Sequence, residues 1–260
     1  VFEPGKKMSD PALRKAIAYA LDNDQVAKET YQGLRISANT LLSPFFGEIY
    51  ADKSEIPGFT YNPEESKKIL ADAGYKDTDG DGYVEDKDGK QLTITLLVPA
   101  GSVTDDAVIQ QYIEWWKNVG LRVELLNGRA LEFNAYAEKL TKYADDFDMW
   151  LGGFTIGYNP DPDGLYGPIA RFNFSHYVSD EHTKLISEIA SEASFDPAKR
   201  VELFKEWQKF VFENPFQVPR FNTYSLTAVN KRVKHVDIAQ GKETGWEQVE
   251  LLSETGVVDK

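Results

Sequence analysis

The stretch DTDGDGYVED at residues 77–86 alternates three carboxylates, Asp77, Asp79 and Asp81, and follows them with Gly82. Oxygen donors at positions one, three and five with glycine at six begin an EF-hand calcium loop, which then takes a backbone carbonyl at seven and a bidentate Glu at twelve. Those two places hold Tyr83 and Asp88. Asp77, Asp79, Asp81, Tyr83 and Asp88 are therefore a candidate ligand set for a structural Ca2+, with a solvated Asp/Gly turn as the plain alternative. Other reactive side chains are scattered. His176, His182 and His235 have no zinc-pair spacing. Ser175 is only a sequence neighbour of His176, which makes no triad, and G-x-S-x-G is absent. There is no cysteine, so thiolate metal sites, disulfide scaffolds and cysteine nucleophiles are excluded. Nothing singles out a glycosidase pair among the 42 acidic residues.

The second informative stretch is LGGFTIGYNPDPDGLYGP at residues 151–168. It reads as a strand carrying Gly152, Gly153 and Gly157 beside the aromatics Phe154 and Tyr158, running into a Pro/Asp/Gly turn. Glycine in a strand marks either a place where another backbone approaches closely or a bulge at a sheet edge. The residues alone leave both readings open.

The elements that must position these stretches follow from periodicity and caps. Leu13, Ile17 and Leu21 share a helix face, and Asp22 with Gln25 forms a capping-box pattern that restarts a helix, with Gly33 as its stop. Residues 36–60 read as a long irregular surface connection. YNPEESKKILADAG is a helix with Asn62 as N-cap, Pro63 at the first position and Gly74 past its end. QLTITLLVPAG is a strand, so the acidic loop joins helix to strand and lacks the second helix of an EF-hand. DDAVIQQYIEWWKNVG is a helix with Val108, Ile109, Tyr112, Ile113 and Trp116 on its inner stripe. With LRVELL after it, residues 92–126 form a βαβ crossover and a parallel pairing. A helix at EFNAYAEKLTKY, a strand at DFDMWLGGFTIG, helices near 180–194 and 197–213 and an extended QVPRFNTYSLTAVNKRV complete the chain.

Composition bounds the partners. The 260 residues are 42% apolar and 13% aromatic, enough for a globular α/β core. The 29 basic residues against 42 acidic give a formal charge of −13, which repels nucleic acid and anionic lipid. No apolar run reaches the length of a membrane span. VFEPGKKMSDP lacks an initiator Met, a charged n-region and an apolar h-region, so the chain is expected to be an excised piece of a longer polypeptide.

Taken in order, DPALRKAIAYALDNDQVAKETYQGLRISANTLLSP, YNPEESKKILADAGYKDTDGDGYVEDKDGKQLTITLL, FDMWLGGFTIGYNPDPDGL and DPAKRVELFKEWQKFVFENPFQVPRFNTYSLTAVNKRV resemble segments of the extracellular solute-binding proteins of family 5. These are the peptide-binding and nickel-binding components of ABC importers. The similarity runs over nearly all of residues 10–236. It implies an α/β fold: a periplasmic-binding-protein-like (type II) lobe, with a mixed central sheet flanked by helices. Residues 1–230 would form this C-terminal lobe, and 231–260 a tail returning to a missing N-terminal lobe.

The resemblance further implies an acidic loop that decorates the lobe, and an oligopeptide ligand lying between lobes and pairing its backbone with Gly153–Thr155. Gly153, Phe154, Thr155, Gly157, Tyr158, Asn159 and Asp161 are the expected ligand-binding residues. Some relatives hold the peptide ammonium with an Asp at the position of Gly157 and a carboxylate with an Arg at the position of Leu151. Neither is here, so either Asp161 or Asp163 takes the first role, or longer peptides are held by backbone alone. Also implied are permease subunits as partners, a monomer, an extracellular place as a cell-surface lipoprotein or in the periplasm, and no catalysed reaction. Membrane contact would come only through an anchor absent from this chain. A nickel-chelate or sugar binder of the same family, and a peptide or glycan hydrolase, are the alternatives.

Overall fold

The computed structural model describes residues 6–142, 144–224, 226, 228 and 230. Contacts divide the chain into Val1–Asn222 and Thr223–Lys260; the architecture below is that of the first unit. The expected tail, 231–260, lies outside the described residues.

The chain opens with α1 (Pro11–Tyr19), N-capped by Asp10, whose carboxylate accepts from Ala12 N–H at 2.9 Å. A second start follows at α2 (Asn23–Gln25). Asp22 caps it by accepting from Gln25 N–H at 2.8 Å, and Val26–Thr30 continues as a wider π turn. The Gln25 side chain does not close the capping box; its amide donates instead to Glu29 at 2.9 Å. β1 (Arg35–Ser37) leads into the segment expected to be a surface connection, and here the structure differs. Leu42, Ile49, Ala51 and Ile56 are buried, and the Asn39 amide donates to the carbonyls of Ala51 at 3.0 Å and Ile56 at 2.8 Å. One buried side chain thus satisfies two carbonyls of a loop that runs inside.

α3 (Pro63–Asp72) is capped by Asn62, and Ser66 on its buried face donates to the Ala16 carbonyl at 2.7 Å, locking α3 to α1. β2 (Thr93–Leu97), α4 (Val103–Asn118) and β3 (Arg122–Leu125) form the crossover. β2 and β3 are parallel, with Thr93 opposite Arg122 and Leu96 opposite Leu125. α4 begins at Val103 because Ser102 caps it. Val108, Ile109, Tyr112 and Trp116 are buried, and Ile113 is half-buried. Trp116 Nε1 donates to the Ile17 carbonyl at 3.1 Å, so α4 and α1 close over the same sheet face. Alternate residues of β2 serve two cores. Ile94 and Leu96 join α1, α3 and α4; Leu97 joins Leu126, Leu131, Tyr136 and Leu140 around α5 (Phe133–Thr141). Burial on both faces explains the near-continuous apolar run of this strand.

β4 (Met149–Trp150) pairs parallel with β2, giving the order β3-β2-β4. After the short α6 (Asp163–Tyr166) come α7 (Asp180–Ile189) and α8 (Pro197–Glu213), then β5 (Phe221–Thr223), which pairs with β1. Leu203, Phe204, Trp207, Phe210 and Val211 of α8 are buried against α7 and the Leu42 and Ile49 side chains. Gln208 is buried there as well. Its amide donates to the Ile49 carbonyl at 2.7 Å and its oxygen accepts from Ala51 N–H at 3.1 Å, which ties the irregular segment to α8.

Candidate ligand-binding site

The strand expected over 146–157 ends at Trp150. The last ladder bond runs from Leu151 N–H to the Leu97 carbonyl at 3.0 Å. Beyond Leu97 the partner chain turns to the other side. Leu131 N–H donates to the Val98 carbonyl at 3.0 Å and Ala100 N–H to the Leu131 carbonyl at 2.6 Å. β2 therefore leaves β4 before Gly152 is reached. From Gly152 to Tyr158 no backbone N–H or C=O has a hydrogen-bond partner among the described residues. Exposure nevertheless alternates as in a strand: Phe154 and Ile156 are half-buried, while Gly153, Thr155 and Gly157 are exposed.

Phe154 stacks on Phe174 at 6.2 Å between centroids and meets the Trp150 edge at 6.0 Å, so it faces a small aromatic core and fixes the segment from beneath. The two central glycines differ. A Cβ at Gly152 would lie 2.6 Å from both Trp150 Cζ3 and Tyr136 Oη, whereas one at Gly153 or Gly157 would meet nothing within 4 Å. None of the three has a positive φ. Gly152 is thus required by packing, and Gly153 and Gly157 leave open space. Tyr136 donates its hydroxyl to the Leu151 carbonyl at 2.8 Å, and burial pushes the phenol's pKa up, which keeps it protonated as a donor.

Asn159 and Asp161 build the following turn. Asn159 Oδ1 accepts from Asp161 N–H at 3.2 Å and Asp161 Oδ1 from Asp163 N–H at 2.9 Å. One Asp161 oxygen is therefore already engaged by the backbone. Tyr158 is 70% exposed and touches Phe45, whose ring centroid lies 6.4 Å away. Phe45 belongs to the Pro/Phe-rich part of the segment expected to be a connection, and the paired aromatics of SPFF are the only signal for it in the sequence.

On the other flank, Asp148–Gly152 line a cavity of about 160 Å³ with Arg14, Ser175, Gln217 and Arg220. Arg14 donates to the carbonyls of Met8 at 2.7 Å and Pro215 at 2.8 Å, and burial lowers its pKa. The Ser175 hydroxyl donates to Asn173 Oδ1 at 3.0 Å, so it is not held toward His176 as a nucleophile would be. His182 is 1% exposed and accepts from Trp207 Nε1 at 3.1 Å; His235 lies outside the described residues.

In the acidic loop, ligand oxygens of Asp77, Asp79, Asp81 and Glu85 lie within 4.8 Å of one another. Asp88 is not among them. Glu85 bridges to Lys76 and Gln91, which closes the loop, and Asp86–Lys90 then leaves as a separate turn with Asp86 N–H donating to the Lys90 carbonyl at 2.8 Å. Glu85 is 6% exposed and accepts from Thr78 N–H and Oγ1, both at 2.6 Å, while Arg122 pairs with Asp81. Four carboxylates are a hard-oxygen donor set suited to Ca2+, with one cationic charge already beside them.

The model of the bacterial extracellular solute-binding proteins, family 5 Middle, matches residues 2–174. The chain belongs to this family. Among curated relatives, the oligopeptide-binding protein OppA of Lactococcus lactis subsp. cremoris (strain SK11) is 30% identical over 249 residues, 95% of this chain and 41% of that protein. Lactococcal OppA complexed with an endogenous peptide in the closed conformation superposes with a TM-score of 0.81 at 29% identity, covering 86% of this chain and 41% of that one. A mannohexaose-bound periplasmic oligopeptide-binding protein from Thermotoga maritima superposes at 0.72 and 28% identity, covering 84% and 42%. The chain thus spans about two-fifths of the length of these relatives. The α/β, type II periplasmic-binding-protein-like fold expected from the sequence is the one observed, and among the described residues no helix is long and apolar enough to cross a membrane.

Proposed function

We propose that this chain is one lobe of the substrate-binding component of an ABC importer, and that the whole protein takes oligopeptides in an interlobe cleft and delivers them to a permease. The observation that carries this reading is the backbone of Gly152–Tyr158, unpaired among the described residues and anchored at one end by the β4 ladder and from beneath by Phe154. Such a segment offers main-chain donors and acceptors to an extended ligand irrespective of its side chains, and the open space at Gly153 and Gly157 admits the ligand backbone. Family membership and the peptide held by the lactococcal relative support the same substrate class. The protein acts outside the cytoplasmic membrane as a monomer, closes on its ligand by hinge motion, and catalyses no reaction. Asp161 remains the candidate partner for a peptide ammonium through its second oxygen.

The acidic loop serves as a structural Ca2+ staple in this reading, held by Asp77, Asp79, Asp81 and the Tyr83 carbonyl, with Glu85 in the place expected for Asp88. A bound cation there would offset the mutual repulsion of the carboxylates.

Mass spectrometry of ligands released by denaturing the freshly purified full-length protein tests the substrate class. Peptides of varied sequence are expected. A homogeneous oligosaccharide or metal chelate in their place would overturn the peptide reading.

A further inference from the structure

The sheet core and the α7/α8 core are separate. Ile94, Leu96 and Trp116 belong to the first; Leu203, Phe204 and Trp207 close the second over Leu42 and Ile49. His182 lies inside the second, in the first turn of α7, and is fully enclosed. Trp207 Nε1 donates to its Nε2, so the imidazole carries a single proton, on Nδ1, and is neutral. Aromatic rings surround it: Phe216 at 4.8 Å between centroids, and Phe210 and Tyr177 both at 5.5 Å. Tyr177 is the one titratable group among those rings, and Arg14 acts on it electrostatically. Asp180 and Glu181 on α7 and Glu206 and Lys209 on α8 are exposed. A proton on Nε2 would set two donors against each other beside the positive end of the α7 dipole. Burial alone lowers the imidazole's pKa to about 4, and no carboxylate among the described residues offsets it. The cluster also reaches the candidate site. Tyr177 stacks on Phe216 at 4.7 Å, its carbonyl accepts from the Asn173 amide at 3.0 Å, and the turn they close carries Phe174, the ring on which Phe154 stacks.

We propose that His182 is a proton-operated latch: its protonation opens the α7/α8 cluster together with the 173–177 turn while the sheet core stays closed, and so withdraws the support beneath the peptide-binding segment. The last step rests on the peptide reading above. Once the cluster is open the imidazole titrates at its ordinary 6.5, whereas in the closed cluster it resists protonation down to about 4. The closed state is therefore fully favoured above pH 6.5 and loses ground as pH falls, so opening should be about 30-fold more frequent at pH 5 than at pH 7.5.

The test is amide hydrogen exchange of the full-length protein at pH 7.5 and pH 5, read as protection factors so that the intrinsic pH dependence of exchange drops out. Protection in α7 should fall about 30-fold, with α3 and α4 unchanged to within about threefold. His182→Gln keeps a neutral acceptor for Trp207 Nε1 and does not titrate, so its α7 protection should hold across the range; this also separates His182 from His176 on the adjoining turn. Equal losses in α7 and α4, or a loss in α7 that persists in the variant, would overturn the latch. So would a His182 ring that titrates near 6.5 by NMR in the folded wild type, whether or not the variant folds. An alanine hexapeptide at about 100 times its dissociation constant should restore α7 protection at pH 5 by up to about 100-fold, because only the closed state binds it. Bound hexapeptide that leaves α7 protection unchanged would overturn the link to the binding segment, whereas a full-length protein that binds no peptide would overturn the peptide reading and leave the latch standing.

Discussion

Gly152 and Gly153 are adjacent in sequence and opposite in what they tolerate. At Gly152 an added methyl would sit 2.6 Å from the Trp150 ring and from Tyr136 Oη. Neither can yield freely. Trp150 is held edge-on by Phe154 at 6.0 Å and Phe174 at 5.8 Å, and moving the Tyr136 hydroxyl breaks its 2.8 Å bond to the Leu151 carbonyl. Overpacking of this kind costs about 1–3 kcal/mol, and the lost hydrogen bond about 1 kcal/mol more. Gly152→Ala should therefore destabilise the protein by about 2–4 kcal/mol. A Cβ at Gly153 meets nothing within 4 Å and the position needs no left-handed backbone, so Gly153→Val should stay within about 0.5 kcal/mol of wild type. Urea unfolding of both variants measures the two values as shifts in midpoint at constant slope. Equal destabilisation of both, or an unperturbed Gly152→Ala, would refute the assignment of one glycine to packing and the other to access. The same Gly153→Val protein should lose peptide affinity by roughly 30-fold or more, because blocking two backbone hydrogen bonds removes about 2 kcal/mol.

Burial lowers the pKa of His182 from its ordinary 6.5 to about 4, so the folded state favours neutral imidazole. That contribution is complete above pH 6.5 and is lost as pH falls toward 4, by about 3 kcal/mol in all. Chemical unfolding from pH 7.5 to 4.5 should show this loss in the wild type; a His182→Phe variant, itself weakened by leaving Trp207 Nε1 without its acceptor, should lack that part of the slope, and identical slopes would contradict it. Ca2+ at about 100 times its dissociation constant should stabilise the protein by about 2.7 kcal/mol, with Asp79→Ala abolishing the gain; a melting temperature indifferent to Ca2+ and chelator would remove the staple.

What the sequence made legible was what local signals carry. Asn62, Pro63 and Gly74 mark the ends of α3 in their own few residues, and the stripe from Val108 to Trp116 announces the inner face of α4. The end of the β4 ladder was not legible, because it depends on where a partner 50 residues earlier goes: β2 swings to Leu131, and nothing in LGGFTIG records that. The same holds for the acidic loop. Counting twelve positions leads to Asp88, while the bridges at Lys76 and Gln91 fold Glu85 inward in its stead. Asn39 was equally silent, since its value lies in two carbonyls that only the folded loop brings together. The sequence singles out the run from Gly153 to Asp161 as one stretch, whereas the end of the strand at Trp150, the packing of Gly152 and the approach of Phe45 are tertiary facts.

Backbone pairing is the central claim, and amide hydrogen exchange of the full-length protein reads it most directly. Gly153–Thr155 amides have no partner within the described residues, so without ligand they should exchange at rates near those of an open chain. Saturation with a bound hexapeptide should protect one or more amides of Gly153–Thr155 by about tenfold or more, while exposed loops elsewhere on the lobe stay unprotected. Tight peptide binding that leaves all three amides exchanging as before would contradict the account.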